Sequence, residues 1–397
     1  MARIDLVVWN PRGSHRLLQD GRVPSVEIPH GTEASPGEIV DAARRALGFD
    51  VVLLRIGGDG SVEVEHTGRD PAGARGLIWQ PWTMTPPAAE RPAWHRPGWV
   101  QAAVTAADAV LAARGLTRTG PPVQARHTSV TGMLRLETDR YPVWLKEVLP
   151  IFRHEGAVAG WVAGIAPGHA PDVLATRSSW WLAKEFPEPA PDPTGDFLDV
   201  LSEVQIASIS RLPELRALGC PDRSAHLLPD AVESITRTTA GLRRELASAL
   251  RSVLPELARA CKEVAALGIP DTLVHGDLHV GNVAHDGDAL VLYDWSDAAV
   301  SHPFLDLIRL SERLPQDEQD RARAAFADVW RAAFPDADVD RALELAVSAN
   351  TIYQVVTFEQ IYRAGEDVSY WEMRGIVARF LRELPGHLPR PVVEEAR

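Results

Sequence analysis

The chain reads as an α+β protein, on three observations. Strand-type alternation fills residues 123–148, helical periodicity prevails from Thr194 onward, and a small α/β pattern over residues 1–84 precedes both, set off by a proline-rich stretch. A strand-rich piece followed by a helix-rich piece predicts a bilobal body: a small antiparallel-sheet lobe over residues 99–187 and a helical lobe over 188–397, with an extra N-terminal α/β domain.

Within residues 1–84, apolar runs at 4–8, 51–56 and 61–64 predict strands, and residues 37–47 predict a helix. Gly57, Gly58, Asp59 and Gly60 predict a hairpin turn. The stretch PGEIVDAARRALG resembles the helix of the Nudix hydrolases. The paired glutamates that would follow Arg44 and Arg45 to hold metal are absent, with Gly48, Phe49 and Asp50 in their places, so Nudix catalysis is not expected and the role of the segment is open. Residues 85–98, with their prolines and no apolar period, predict a semi-rigid linker. Residues 100–114 predict a helix stopped by Gly115. Strands follow around Met133–Leu136 and Val143–Leu145, with the polar turn Thr138, Asp139, Arg140 separating them; then come a helix over 154–164 and a strand over 180–186. Helices fill the remainder, interrupted by short apolar runs at 272–274 and 289–292.

Composition narrows the function. At 397 residues with 45% hydrophobic and 24% charged side chains, the chain can bury cores without metal or disulfide. No segment offers the roughly 20 apolar residues of a membrane span, and the start MARIDLVVWNPRG lacks the features of a secretory signal, so a cytoplasmic protein is expected. Cys220 and Cys261 are isolated, which predicts buried thiols in a reducing compartment. A net charge of −13 argues against nucleic acid as a partner and suits a cationic small molecule.

The chemistry concentrates in LVHGDLHVGNVAHDGDALVLYDWSDAAVSHPFLDL, residues 273–307. Phosphoryl transfer asks for a carboxylate to orient and deprotonate the acceptor hydroxyl, and for oxygen ligands that hold Mg²⁺ against the nucleotide phosphates. Asp277 and Asn282 stand five apart on a loop after a short strand, and Asp294 follows a second strand. Protein kinases space their loop Asp and Asn the same way and bind metal with a later Asp.

His275-Gly276-Asp277-Leu278-His279, Asn282 and Asp294-Trp295-Ser296-Asp297, followed by His302, Pro303 and Asp306, resemble the signature of the aminoglycoside phosphotransferase and choline kinase superfamily. The resemblance runs from about residue 121 to about 310. It implies a protein-kinase-like fold and an ATP- and Mg²⁺-dependent phosphotransferase acting on a small-molecule hydroxyl, possible acceptors being an aminoglycoside or another amine-bearing compound. It also implies Asp277 as catalytic base and Asn282 and Asp294 as metal ligands, with His275, His279, Asp297 and Asp306 supporting the loop. Upstream it implies Lys146 on the phosphates, oriented by Glu155, and a hinge whose residues 183–186, Glu185 and Phe186 among them, meet adenine. A Gly-rich loop is missing; Thr128 and Ser129 in HTSVTG stand where it would be. In the C-terminal helices Glu359, Tyr362 and Glu366 are candidates for an amine-binding wall.

Two other readings stay open at this level. His275, Asp277, His279 and His285 have zinc-ligand chemistry and could serve a metallohydrolase. A nucleotide-binding regulatory module is the second, although Lys146, Glu155, Asp277, Asn282 and Asp294 are all present, where such a module is expected to have lost one.

Overall fold

The computed structural model describes residues 2–28, 34–57, 59–68, 76–186, 197–238, 244–287, 289–312 and 316–364. The fold mixes helices and sheets in two compact units, one containing Met1–Pro150 and Arg177–Glu185, the other Ile151–Thr176 and Phe186–Arg363.

The first unit opens with strands β1 (Ala2–Trp9), β2 (His15–Gln19) and β3 (Ser25–Ile28), helix α1 (Pro36–Leu47), and strands β4 (Val51–Ile56), β5 (Val62–His66) and β6 (Leu77–Pro81). In β1, Ile4, Leu6 and Val8 point inward while Arg3 and Asp5 stay exposed, the period-2 pattern of a half-buried strand. The sheet runs β4-β5-β1-β2-β6, with β3 on the far part of β1; β1 and β5 are parallel and the other pairs antiparallel. Helix α1 starts at a capping box, Ser35 with Glu38, stops at Gly48 in the left-handed region, and lays Ile39, Ala42, Ala43 and Leu47 on the sheet. The expected β4–β5 turn closes through Gly57 N–H to the Ser61 carbonyl at 2.7 Å; Gly58 lies outside the described residues.

Residues 85–98 hold two short 3₁₀ turns, Ala88–Glu90 and Ala93–His95, and bury Arg91, Trp94 and His95. Prolines alone read as a spacer, because the partners that bury these side chains lie some 30 residues away on either side in sequence, at Glu63 and Thr128. Helix α2 (Trp99–Ala113) and Gly115 at φ +69° follow, then β7 (Val123–His127), β8 (Thr131–Leu136), β9 (Val143–Val148) and, later in the chain, β11 (Trp180–Lys184). These four strands pair antiparallel in the order β11-β9-β8-β7. Strand β9 is central, so its residues Val143, Leu145 and Lys146 are all buried.

The second unit contains α3 (Glu155–Ile165), β10 (Val173–Thr176), α4 (Phe197–Ser208), α5 (Leu212–Ala217), α6 (Leu228–Thr238), α7 (Arg244–Val264), β12 (Thr272–Val274), β13 (Val283–Asp286), β14 (Ala289–Leu292), β15 (Ala299–Ser301), α8 (Gln316–Ala333) and α9 (Val339–Ala364). One core gathers Phe197, Leu201 and Val204 of α4 with Phe304 and with Phe326 and Trp330 of α8; another sets α7 against Ile352, Val355 and Val356 of α9. Sandwiched in this helical mass, β12 pairs with β15 and β13 with β14. Among the described residues no helix is long and apolar enough to cross a membrane.

Candidate active site

The site is built on two short hairpin-like ladders. Strand β12 delivers the chain into His275–Asp277, and the β13–β14 pair, in which Val283 faces Leu292, continues through Tyr293 N–H to the Asn282 carbonyl at 3.0 Å. That register sets Asn282 and Tyr293 across from each other, so Asn282 and Asp294 emerge at the same end of the hairpin, twelve residues apart in sequence and adjacent in the ladder.

The loop before them is held by one buried carboxylate. Asp306, 1% exposed, accepts the backbone N–H of His275 at 2.9 Å and of Gly276 at 2.7 Å, and the amide of Gln205 at 3.0 Å. Burial pushes its carboxyl up to about 7, against the pull of those donors. Three donors on two oxygens suit the carboxylate form. Gly276 turns the chain at φ +82°, and a Cβ there would lie 2.2 Å from the Asp297 carbonyl and 2.6 Å from the Tyr353 hydroxyl. Tyr353 donates to that same carbonyl, and Gln354 donates to the Gly276 carbonyl at 3.0 Å. The loop backbone is therefore gripped by Asp306 and by α9 at once, with Gln205 of α4 holding Asp306.

Asp277 leaves this clamp partly exposed, at 28% for the side chain. Asn282 is buried, and its Nδ2 donates to the Asp277 carbonyl at 2.9 Å, which turns its Oδ1 away as an acceptor. Asp294 has φ +65°, a conformation uncommon for a residue with a side chain, and its Oδ1 accepts from Ser296 Oγ at 3.0 Å. An amide oxygen and a carboxylate at one hairpin end are hard oxygen donors, the set Mg²⁺ takes when phosphates complete its shell.

The histidines serve the loop. His275 Nε2 donates to the Tyr293 carbonyl at 2.9 Å and its ring packs on Trp295 at 4.7 Å. His279 Nδ1 accepts the Gly281 N–H at 2.9 Å, which leaves Nε2, 3.9 Å from Asp277 Oδ2, to carry the proton. The zinc-hydrolase reading fails on this geometry. Both rings are committed to backbone, His285 is exposed on β13, and among the described residues no three His, Cys, Asp or Glu side chains converge on a metal position. His302 is buried, accepts the Phe304 N–H at Nδ1, and burial lowers it to about 3.

The other expected site residues fall as follows. Lys146 lies on β9 in register with Met133 and Trp181, and is buried, in the first unit; Glu155 opens α3 in the second unit, fully buried. Thr128 closes a tight turn: its N–H donates to the Thr131 carbonyl at 2.9 Å and its Oγ1 accepts from Val130 and Thr131 N–H, both at 3.3 Å, with Ser129 buried. Glu185 gives its carboxylate to a two-pronged pair with Arg135 at 2.6 and 2.9 Å and its N–H to the Pro142 carbonyl. Phe186 packs on Tyr293 at 4.8 Å. Glu359 is 1% exposed on α9; the Tyr362 side chain and Glu366 lie outside the described residues. The grip of Gln205, Tyr353 and Gln354 on this loop was missed. Their only signal is a polar residue in an otherwise apolar helix stretch, as in FLDVLSEVQIAS, which does not say what the polar group meets.

Residues 151–345 of the chain match the model of the phosphotransferase enzyme family. The chain is by class a small-molecule phosphotransferase, and kinases of the matched family use ATP. Macrolide 2'-phosphotransferase MphH from Brachybacterium faecium is similar in structure, with 17% identity, 72% of this chain and 99% of that one covered, and a TM-score of 0.47. Spectinomycin phosphotransferase, solved in complex with ADP and spectinomycin, gives 13%, 74%, 97% and 0.43. Choline kinase from Cryptosporidium parvum gives 12%, 66%, 88% and 0.44. No curated protein sequence matches the chain.

Proposed function

We propose that the chain moves the γ-phosphoryl of ATP to a hydroxyl of a small, amine-bearing acceptor, with Asp277 as the base, in a protein-kinase-like bilobal arrangement whose small lobe is the sheet of β7, β8, β9 and β11. The observation that carries this reading is the clamp on the catalytic loop. Asp306 holds the N–H groups of His275 and Gly276, so Asp277 is presented partly exposed on an immobilised backbone. Preorganisation of that kind is what in-line transfer requires, since the protein contributes mostly position and charge.

Asp277 accepts the acceptor's hydroxyl proton and aligns its oxygen on the phosphorus. Asn282 Oδ1 and Asp294 would hold Mg²⁺, which when bound neutralises charge on the phosphate oxygens. Lys146 contributes a cation to the phosphates, with Glu155 as its orienting carboxylate, and the turn at Thr128 and Ser129 covers them. Residues 183–186 supply backbone groups to adenine. Glu359, Tyr362 and Glu366 draw the acceptor's ammonium, in keeping with a net charge of −13. A cytoplasmic location fits the ATP supply.

The test is ADP release from Mg²⁺·ATP with a panel of aminoglycosides, amino alcohols and sugars, alongside Asp277→Asn. Acceptor-stimulated release that vanishes in the variant, with ATP binding kept, is the expected result. Release that persists in the variant would falsify the role of Asp277.

A further inference from the structure

Outside the family match, residues 1–99 fasten onto two places in the first unit that face the nucleotide in the reading above. Segment 91–98 is anchored at both ends to β5. Glu63, buried, receives Arg91 Nη1 at 2.9 Å and Nη2 at 3.3 Å, Arg55 Nη1 at 3.0 Å and Trp9 Nε1 at 2.8 Å, while Glu65 accepts the Gly98 N–H at 2.8 Å. Arg91 also donates to the carbonyls of Thr85 and Pro86, both at 3.0 Å. In the middle of this segment Trp94, 1% exposed, donates its indole N–H to the Thr128 carbonyl at 2.7 Å. Its side chain lies so close to β8 that a Cβ at Gly132 would stand 2.6 Å from Trp94 Cβ and 2.7 Å from its Cγ, so glycine is required there. At the other end Trp99 donates to the Glu147 carboxylate, and Thr131 Oγ1 donates to the Glu147 carbonyl at 2.9 Å, beside Lys146. On the neighbouring strand His127 donates to the Leu54 carbonyl at 2.6 Å, and the Gln124 amide makes both bonds to the backbone of Leu53.

We infer that segment 91–99, held by the N-terminal sheet, is a positioning element for the nucleotide's phosphates: Trp94 sets the 128–131 turn and Trp99 sets the strand that carries Lys146. Both tryptophans act through other residues and touch no reacting atom. This rests on the reading of that turn as the phosphate cover.

Full-length Trp94→Phe keeps the ring and removes the donor, and is expected to raise KM for ATP about three- to tenfold, the range of one hydrogen bond, with kcat at saturating ATP within about twofold. Trp9→Phe is the control, because it removes a buried bond to the same Glu63 network without reaching the turn; its KM for ATP should stay at the wild-type value. Should Trp94→Phe not accumulate folded, Trp99→Phe carries the same expectation. Equal KM for ATP in the Trp94 and Trp9 variants overturns the inference. Ser129→Ala separates the two layers: a raised KM there with none in Trp94→Phe removes the positioning role alone, and no change in either removes the turn's assignment and the positioning with it.

Discussion

Asp306 shows how much one side chain can decide. Its two oxygens take the N–H groups of His275 and Gly276, and an amide in its place would turn an NH₂ toward one of them. Asp306→Asn is expected to lower kcat by about 10²-fold, the scale of a small misplacement of a reacting group, and stability by about 1–3 kcal/mol. Steady-state kinetics and urea midpoints check both, and a variant with wild-type kcat would remove the clamp from the mechanism. Gly276→Ala meets the Asp297 carbonyl and the Tyr353 hydroxyl at a φ that disfavours any Cβ. A loss on the order of 2–4 kcal/mol in chemical denaturation is expected. Asp277, Asn282 and Asp294 were legible as a trio because their chemistry and spacing are local. The grip on them was not, since Gln205, Tyr353 and Gln354 meet partners 56 or more residues distant.

At the scale of elements, the strands and helices with long uniform patterns were readable: β1, α1, β4, α2, β8 and β9 lie close to where periodicity and stop signals set them. Strands β2, β3, β6, β10, β13 and β15 were not, being three to five residues long with too little sequence to show a period. Their strand state comes from a partner's edge. Capping tests the local part: Ser35→Ala should cost about 1 kcal/mol by thermal or urea unfolding and leave kinetics alone, because α1 lies on the N-terminal sheet. Helix α9 tests the non-local part. Tyr353→Phe removes a buried donor to the Asp297 carbonyl, and a drop in kcat of about two- to tenfold without loss of helix by circular dichroism is the expected outcome.

The whole molecule has a charge profile that burial dictates. Burial holds His127 and His154 at about 4 and His302 at about 3, and His95 well below its usual value. Each is neutral when folded and takes a proton on unfolding below about 6.5, so each contributes stability that is lost as pH falls from about 6.5 to 4. Glu65 and Asp306, raised to about 7, and Glu147, raised by burial, act in the opposite sense, since their burial penalty eases as they are protonated. Where the histidines outweigh the carboxyls, unfolding takes up protons and stability falls on acidification. A Tm that falls between pH 6.5 and 4.5, with a shallower fall in His302→Gln, is expected; a flat profile would show that the histidines are not held neutral.

By itself the sequence determined the class of chemistry. Phosphoryl transfer needs few groups, an Asp, an Asn and a second Asp at set intervals on loop and hairpin, and such short-range patterns survive in a linear string. Tertiary structure alone decided what holds those groups still and what the first 99 residues touch. Burial pairs Trp94 with Thr128 and Asp306 with Gly276 across 34 and 30 residues, and no local propensity encodes which distant carbonyl or N–H a buried donor will meet.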